Sequence, residues 1–222
     1  MGSIQNTGKL RVAVVTGRHP FDVPGFHAVF RSIPEIDPYI QHMEDFVSAP
    51  WDLRKEYEVV VFYNMHMETP GDERDWWDEG TKAALEQLGE TKQGVFLLHH
   101  AILAFPKWPL WSKITGIGAP HFTYHMDQAV RYEIADGGHP ITRGMTPWEM
   151  VDETYKMSGP GPDSHVLITA DHPLSMQTIA WARTFRAARV FCYQSGHDNQ
   201  IYVNSSFRTV VTRGILWCAG AI

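Results

Sequence analysis

The sequence predicts an α/β fold: a doubly wound, mostly parallel sheet with helices on both faces and an antiparallel extension. Three observations carry that prediction. Leu10–Thr16, Tyr57–Tyr63 and Val95–Leu98 are short runs rich in apolar and β-branched residues, the pattern of strands covered on both faces. Stretches of helical periodicity separate them, as a parallel sheet requires of its crossovers. From His125 onward, alternating runs and tight turn signals such as Gly137-Gly138-His139-Pro140 take over, which is the pattern of antiparallel strands.

Taken in order, Leu10–Thr16 is expected to be the first, central strand, with residues 17–22 as the loop at its carboxyl end. Pro24 then opens a helix, because a proline in the first turn has no hydrogen bond to lose; Phe26, Val29 and Phe30 form its inner face. Tyr39–Val47, of mixed alternating character, suits an edge strand. Tyr57–Tyr63 ends in Asn64-Met65-His66. Glu73–Leu88 reads as an amphipathic helix with Trp76, Trp77, Ala84, Leu85 and Leu88 inward and Gly89 as its stop. Val95–Leu98 breaks into His99-His100 and a further amphipathic helical stretch. Phe105–Trp111, rich in tryptophan and proline, is expected to form a cap or rim. Ala129–Ile134, Trp148–Met157, His165–Thr169 and Thr178–Phe185 read as strands, Ala188–Tyr193 as the last buried one, and Phe207–Ala219 as a closing amphipathic helix.

The 222 residues are read as one domain, residues 10–222, preceded by a flexible N-terminus, residues 1–9. A net charge of −6 without Lys/Arg clusters argues against nucleic acid or an anionic membrane as partner. No apolar run reaches the length of a membrane span and Met1–Gly8 lacks a signal-peptide core, so a cytoplasmic location is expected. Cys192 and Cys218 lie in apolar surroundings and read as buried thiols.

Open α/β sheets bind ligands beyond the carboxyl ends of their strands. Four such ends carry polar groups here: His19 and Asp22, Asn64 and His66, His99 and His100, His197 and Asp198. At the elbow, one histidine of the pair is expected to face the crevice and the other to pack under the helix; His99 is the choice for the crevice, and Asp198 is a candidate to orient His197. Asp152 and Glu153 add two acids within an apolar segment, where an unpaired charge is costly, so at least one should face a cleft or a partner.

The elbow Leu98-His99-His100-Ala101, the run His139–Met145 leading to Asp152-Glu153-Thr154-Tyr155, and the closing segments Ile179–Arg183, Arg189–Phe191 and Gly196-His197-Asp198 resemble ThuA-like proteins, the trehalose-utilisation family, from Leu10 to Gly220. The resemblance implies a class I glutamine-amidotransferase-like, flavodoxin-like fold and a role in carbohydrate metabolism, often beside sugar dehydrogenases that make 3-keto-sugars. A true amidotransferase would carry a cysteine nucleophile at the elbow; His99-His100 stands there instead, so thiolate chemistry is not expected.

Two readings follow. In the first, the chain is an isomerase, lyase or hydrolase of a sugar derivative, with His99 and His197 as acid/base groups and Glu153 as a second acid; a variant has His66, His99 and His197 ligate a divalent metal such as zinc. In the second, it is a carbohydrate- or partner-binding module in which Trp181, Tyr155 and Trp108 are stacking platforms. In either, the remaining strand-end residues His19, Asp22, Asn64, His66, His100, Asp152 and Asp198 bind the substrate, a small-molecule carbohydrate. At least a homodimer is expected, since Phe105–Trp111 would otherwise expose apolar area.

Overall fold

The computed structural model describes residues 8–71, 78–118 and 120–222. Five strands build the parallel half: β1 (Leu10–Gly17), β2 (Ile36–His42), β3 (Val59–Asn64), β4 (Gly94–Leu98) and, from late in the chain, β9 (Ala188–Tyr193). They stand in the order β2-β1-β3-β4-β9, so the first strand lies one place in from the edge rather than at the centre of the sheet. The unbroken apolar runs are explained by their neighbours. Val12 and Val14 of β1 face one core, while Ala13 and Val15 face the other.

Helices cover both faces. α1 (Val23–Arg31) and, at the chain's end, α7 (Ser205–Cys218) pack on the first core; α2 (Met43–Ser48), α4 (Asp78–Glu86), a five-residue 3-10 helix (His99–Leu103) and α5 (Pro109–Thr115) pack on the second. The short α3 (Trp51–Arg54) and α6 (Asn199–Tyr202) complete the helices of the described residues. The stretch expected as an edge strand over Tyr39–Val47 divides: β2 does lie at the edge, but the chain turns helical at Met43, where Met43, Phe46 and Val47 become core residues. The helix expected over Glu73–Leu88 is present as α4, and Trp76 and Trp77 lie outside the described residues.

The antiparallel extension consists of β5 (Thr123–Ile134), β6 (Trp148–Lys156), β7 (His165–Ala170) and β8 (Thr178–Phe185), continuing the sheet as β9-β8-β7-β5-β6. β5 runs six residues further towards the N-terminus than the alternation from Ala129 indicated, through a register shift between His125 and Gln128.

The tryptophan-rich stretch is core, not rim. Phe105, Trp108 and Trp111 are all buried, and Trp111 Nε1 donates to the Ala101 carbonyl (2.8 Å). The apolar surface from which a dimer was expected is therefore absent there. Trp181 is likewise wholly buried, with Nε1 donating to the Thr115 carbonyl (2.8 Å), so it cannot be a stacking platform. Both indoles pack on the same core and satisfy their one donor on a backbone carbonyl, as buried tryptophans do.

The start of β4 touches the end of α7 so closely that a Cβ added at Gly94 would lie 2.5 Å from the Cys218 carbonyl oxygen. Gly94→Ala is expected to lower the unfolding free energy by about 1–3 kcal/mol through overpacking, read from the midpoint of urea denaturation; an unchanged midpoint would mean that the two elements separate freely.

Candidate functional site

The carboxyl ends of β1, β3, β4 and β9 deliver His19, Asn64 and His66, His99 and His100, and His197 to one edge, as the sequence predicts. β4 passes into the 3-10 helix through His99, whose φ of 54° lies in the left-handed region. For a residue other than glycine that conformation costs about 1–3 kcal/mol and persists only where surrounding contacts hold it. Here they do. His99 Nδ1 donates to the Gln194 carbonyl at the end of β9 (2.7 Å), and the ring stacks on Tyr155 at 5.1 Å between centroids.

Because a carbonyl only accepts, the proton of His99 is placed on Nδ1 and Nε2 is directed inward. Nε2 lies 3.0 Å from Glu153 Oε2 and 3.2 Å from His197 Nδ1, and that nitrogen is in turn 3.0 Å from Glu153 Oε2. The Tyr155 hydroxyl, 2.8 Å from His99 Nε2, donates to the same Glu153 oxygen at 3.0 Å. Among the described residues this trio is the one group of histidine, cysteine, aspartate and glutamate side chains arranged to hold a metal ion. A tetrahedral ion with bonds of about 2.0–2.1 Å sets its donors about 3.3 Å apart, which is close to the spacing here, and two histidines with a glutamate are a donor set of catalytic zinc. The Gln194 carbonyl behind His99 is the outer partner that such ligands need to fix their tautomer.

The electrostatics follow from the geometry. Burial of Glu153 favours its neutral form, but the two imidazoles beside it, His197 as hydrogen-bond donor and His99 by its proximity, outweigh this and hold the carboxyl well below its usual range. The surroundings thus favour its charged form. His197 is raised, chiefly by its hydrogen bond to Glu153. Burial lowers both His19 and His100, the latter strongly.

A cavity of about 430 Å³ opens above the trio. Its polar lining is His19, His100, Glu153, Tyr155 and His197, and its apolar lining is Pro20, Met65, Phe122, Tyr124 and Met126. The elbow pair does not divide as expected: His99 sits fully buried in the trio, while His100, buried too, lines the cavity. The left-handed turn at His99 is what brings two consecutive rings, 5.0 Å apart and nearly perpendicular, to the same place. The segment that follows them is buried throughout and is not an amphipathic helix.

Several expected site residues lie elsewhere. His66 is outside the trio: its ring stacks on Phe105 at 5.6 Å, Asn64 Nδ2 donates to its Nδ1 (3.2 Å), and burial lowers its pKa to about 4. In the trio, Glu153 stands where the expected metal-ligand set had His66. Asn64 serves this packing and is fully buried. Asp152 points away into the protein, accepting from Tyr132 Oη (3.2 Å) and from the Glu153 amide (2.8 Å), and burial raises its carboxyl to about 6. Asp198 caps α6 by accepting from the Gln200 amide (2.9 Å) and does not orient His197. Asp22 precedes α1 and is not part of the cavity lining, and neither is Trp108.

The sequence reading missed Gln194 and the apolar wall. Gln194 acts through its carbonyl, which no side-chain pattern reveals. Phe122, Tyr124 and Met126 did leave a signal, the alternation of apolar residues that marks one face of a strand.

The strand order of the parallel half, with a turn in the left-handed region after β4 and polar groups gathered beyond it, makes an α/β fold of the kind seen in glutamine amidotransferase structures, here with histidine at the elbow. The Thermotoga maritima glutamine amidotransferase structure shares this fold, with a TM-score of 0.51 at 10% identity over 94% of this chain and 96% of that one. A family model for ThuA, described as trehalose utilisation, matches residues 44–218, and the chain belongs to that family. Two solved ThuA-like proteins are similar throughout. The one from Parabacteroides merdae ATCC 43184 has a TM-score of 0.75 at 22% identity, covering 96% of this chain and 91% of its own. The one from Bacteroides uniformis ATCC 8492 has a TM-score of 0.75 at 17% identity, covering 98% and 94%. Among curated proteins, none matches this chain. No helix of the described residues is long and apolar enough to cross a membrane.

Both cysteines lie away from the elbow, buried at the end of β9 and the end of α7, and burial pushes both thiols up. In metal-free, chelator-treated protein, Glu153→Gln is expected to move the titration of the His197 imidazole to lower pH, because the anion that raises it is gone; NMR of the ring protons reads the shift, and an unmoved titration would remove Glu153 as its cause.

Proposed function

We propose that this ThuA-family chain is an enzyme acting on a sugar derivative with the help of a divalent metal, zinc fitting best, bound by His99 Nε2, Glu153 Oε2 and His197 Nδ1. The convergence of these three atoms within 3.0–3.2 Å, below a cavity of ligand size, carries the reading. The family's description supports a carbohydrate as substrate. Three protein ligands leave a position open towards the cavity, where a bound ion would polarise a substrate oxygen or lower the pKa of a water molecule.

The chain's own residues supply the rest. Gln194 keeps the proton of His99 on Nδ1, so that Nε2 offers its lone pair. The Tyr155 hydroxyl, held up in pKa by burial, keeps its proton and can donate it beside the trio. His19, whose Nδ1 donates to the Pro20 carbonyl (2.7 Å), presents the other ring nitrogen as an acceptor for a proton from the substrate. His99 and His197 are thereby ligands rather than free acid/base groups.

Plasma mass spectrometry of protein purified without chelator is expected to find close to one equivalent of metal. His99→Ala, Glu153→Ala and His197→Ala should each lose it, and His66→Ala should keep it. Metal-free wild-type protein, or a His66→Ala variant that loses metal as the trio variants do, would overturn the assignment.

A further inference from the structure

His100 and Tyr124 both line the cavity, and the metal site uses neither. His100 is 1% exposed, and among the described residues neither of its ring nitrogens has a hydrogen-bond partner. A buried imidazole that has lost water and gained no partner calls for an explanation, and a bound ligand is one. The ring is clamped: His19 stacks on it at 4.3 Å and 28°, and the Tyr63 ring lies at 4.3 Å, tilted by 59°. A ring held in this way is preorganised to meet a polar group from the cavity. A neutral imidazole offers one N–H and one lone pair, which complement a hydroxyl, itself both donor and acceptor.

Tyr124 is the opposite case. It is 63% exposed, more than any other aromatic residue of the core or cavity wall, yet it lies in the wall. Phe122 and Met126, two residues to either side, line the same cavity, so the start of β5 and the residue before it present an apolar strip to it. The cavity is thus amphipathic in the way a sugar ring is, with apolar C–H faces and a hydroxyl-bearing edge. Its charged side chain among the described residues is the carboxylate of Glu153, and no described lysine or arginine lines it, the residues that a phosphate group would require.

We propose that His100 and Tyr124 form a subsite for one unphosphorylated sugar ring, Tyr124 receiving its apolar face and His100 bonding a hydroxyl on its edge. This rests on the sugar-directed reading above and names the residues that select the substrate.

The test is calorimetric titration of the protein as purified, with its metal content measured on the same sample, using trehalose, glucose and glucose 6-phosphate as probes. His100→Phe keeps a flat ring between His19 and Tyr63 while removing both nitrogens. Tyr124→Ala changes an exposed position and keeps the test decisive should the first variant fail to fold. A neutral sugar is expected to bind, each variant to weaken it about tenfold or more, metal content to be unchanged, and glucose 6-phosphate to bind no tighter than glucose. Unchanged affinity in either folded variant, tighter binding of the phosphate, or no binding of any of the three sugars would overturn the proposal. Sugar binding that depends on both residues in a protein without metal would support the subsite while removing the metal assignment, so the two are separated by the same samples.

Discussion

The hydrogen bond from His99 Nδ1 to the Gln194 carbonyl joins the ends of two neighbouring parallel strands, and what the centre can hold follows from it. It fixes a tautomer, which directs a lone pair at Glu153 and His197. The same glutamine works twice. Its side-chain amide donates to the Glu153 carbonyl (2.9 Å), so one residue at the end of β9 positions both the elbow histidine and the segment that carries the carboxylate. Positional precision at a ligand set comes from such outer contacts, and here they run through backbone groups that are anchored in the sheet.

Glu153 reaches the trio because the antiparallel extension returns over the carboxyl edge of the parallel strands. In the sheet, β6 is the far edge and four strands separate it from β4, yet Glu153 and Tyr155 touch His99. Burying these acids is tolerable because each has partners. Glu153 has two imidazoles and a phenol; Asp152 has the Tyr132 hydroxyl and an amide, and it remains costly enough for its carboxyl to be raised. The turn after β9 is secured in the same manner, the Tyr63 hydroxyl donating to the Gly196 carbonyl (2.9 Å) and lying 2.9 Å from the Tyr202 hydroxyl. Gly196, at φ 129°, holds a backbone conformation that other residues rarely adopt, and an added Cβ would come within 3.3 Å of the Phe207 ring.

The elbow explains how one scaffold serves different chemistry. The left-handed residue after β4 lifts its side chain out of the sheet, at the elbow where the family resemblance implies a cysteine nucleophile in a true amidotransferase. With histidine there, the same geometry points a nitrogen lone pair at whatever the neighbouring strand ends supply. Fold alone leaves the reaction open, and the groups gathered at the edge decide it.

The sequence by itself determined the strands, since burial on two faces demands unbroken apolar runs, and it determined which strand ends carry imidazoles. It also placed Glu153 and Tyr155 together on a strand with an acid that had to find a partner. Which of those groups meet was decided by tertiary structure. His66 and Asp198 stand at the right edge but turn to Phe105 and to the start of α6, because a strand-end residue can point along several directions and local packing chooses among them. The tryptophans went to the core because their area is worth more there than at a rim, provided a carbonyl accepts the indole proton. The register shift in β5 and the return of β6 arise from contacts between residues far apart in the chain, and no local pattern encodes them.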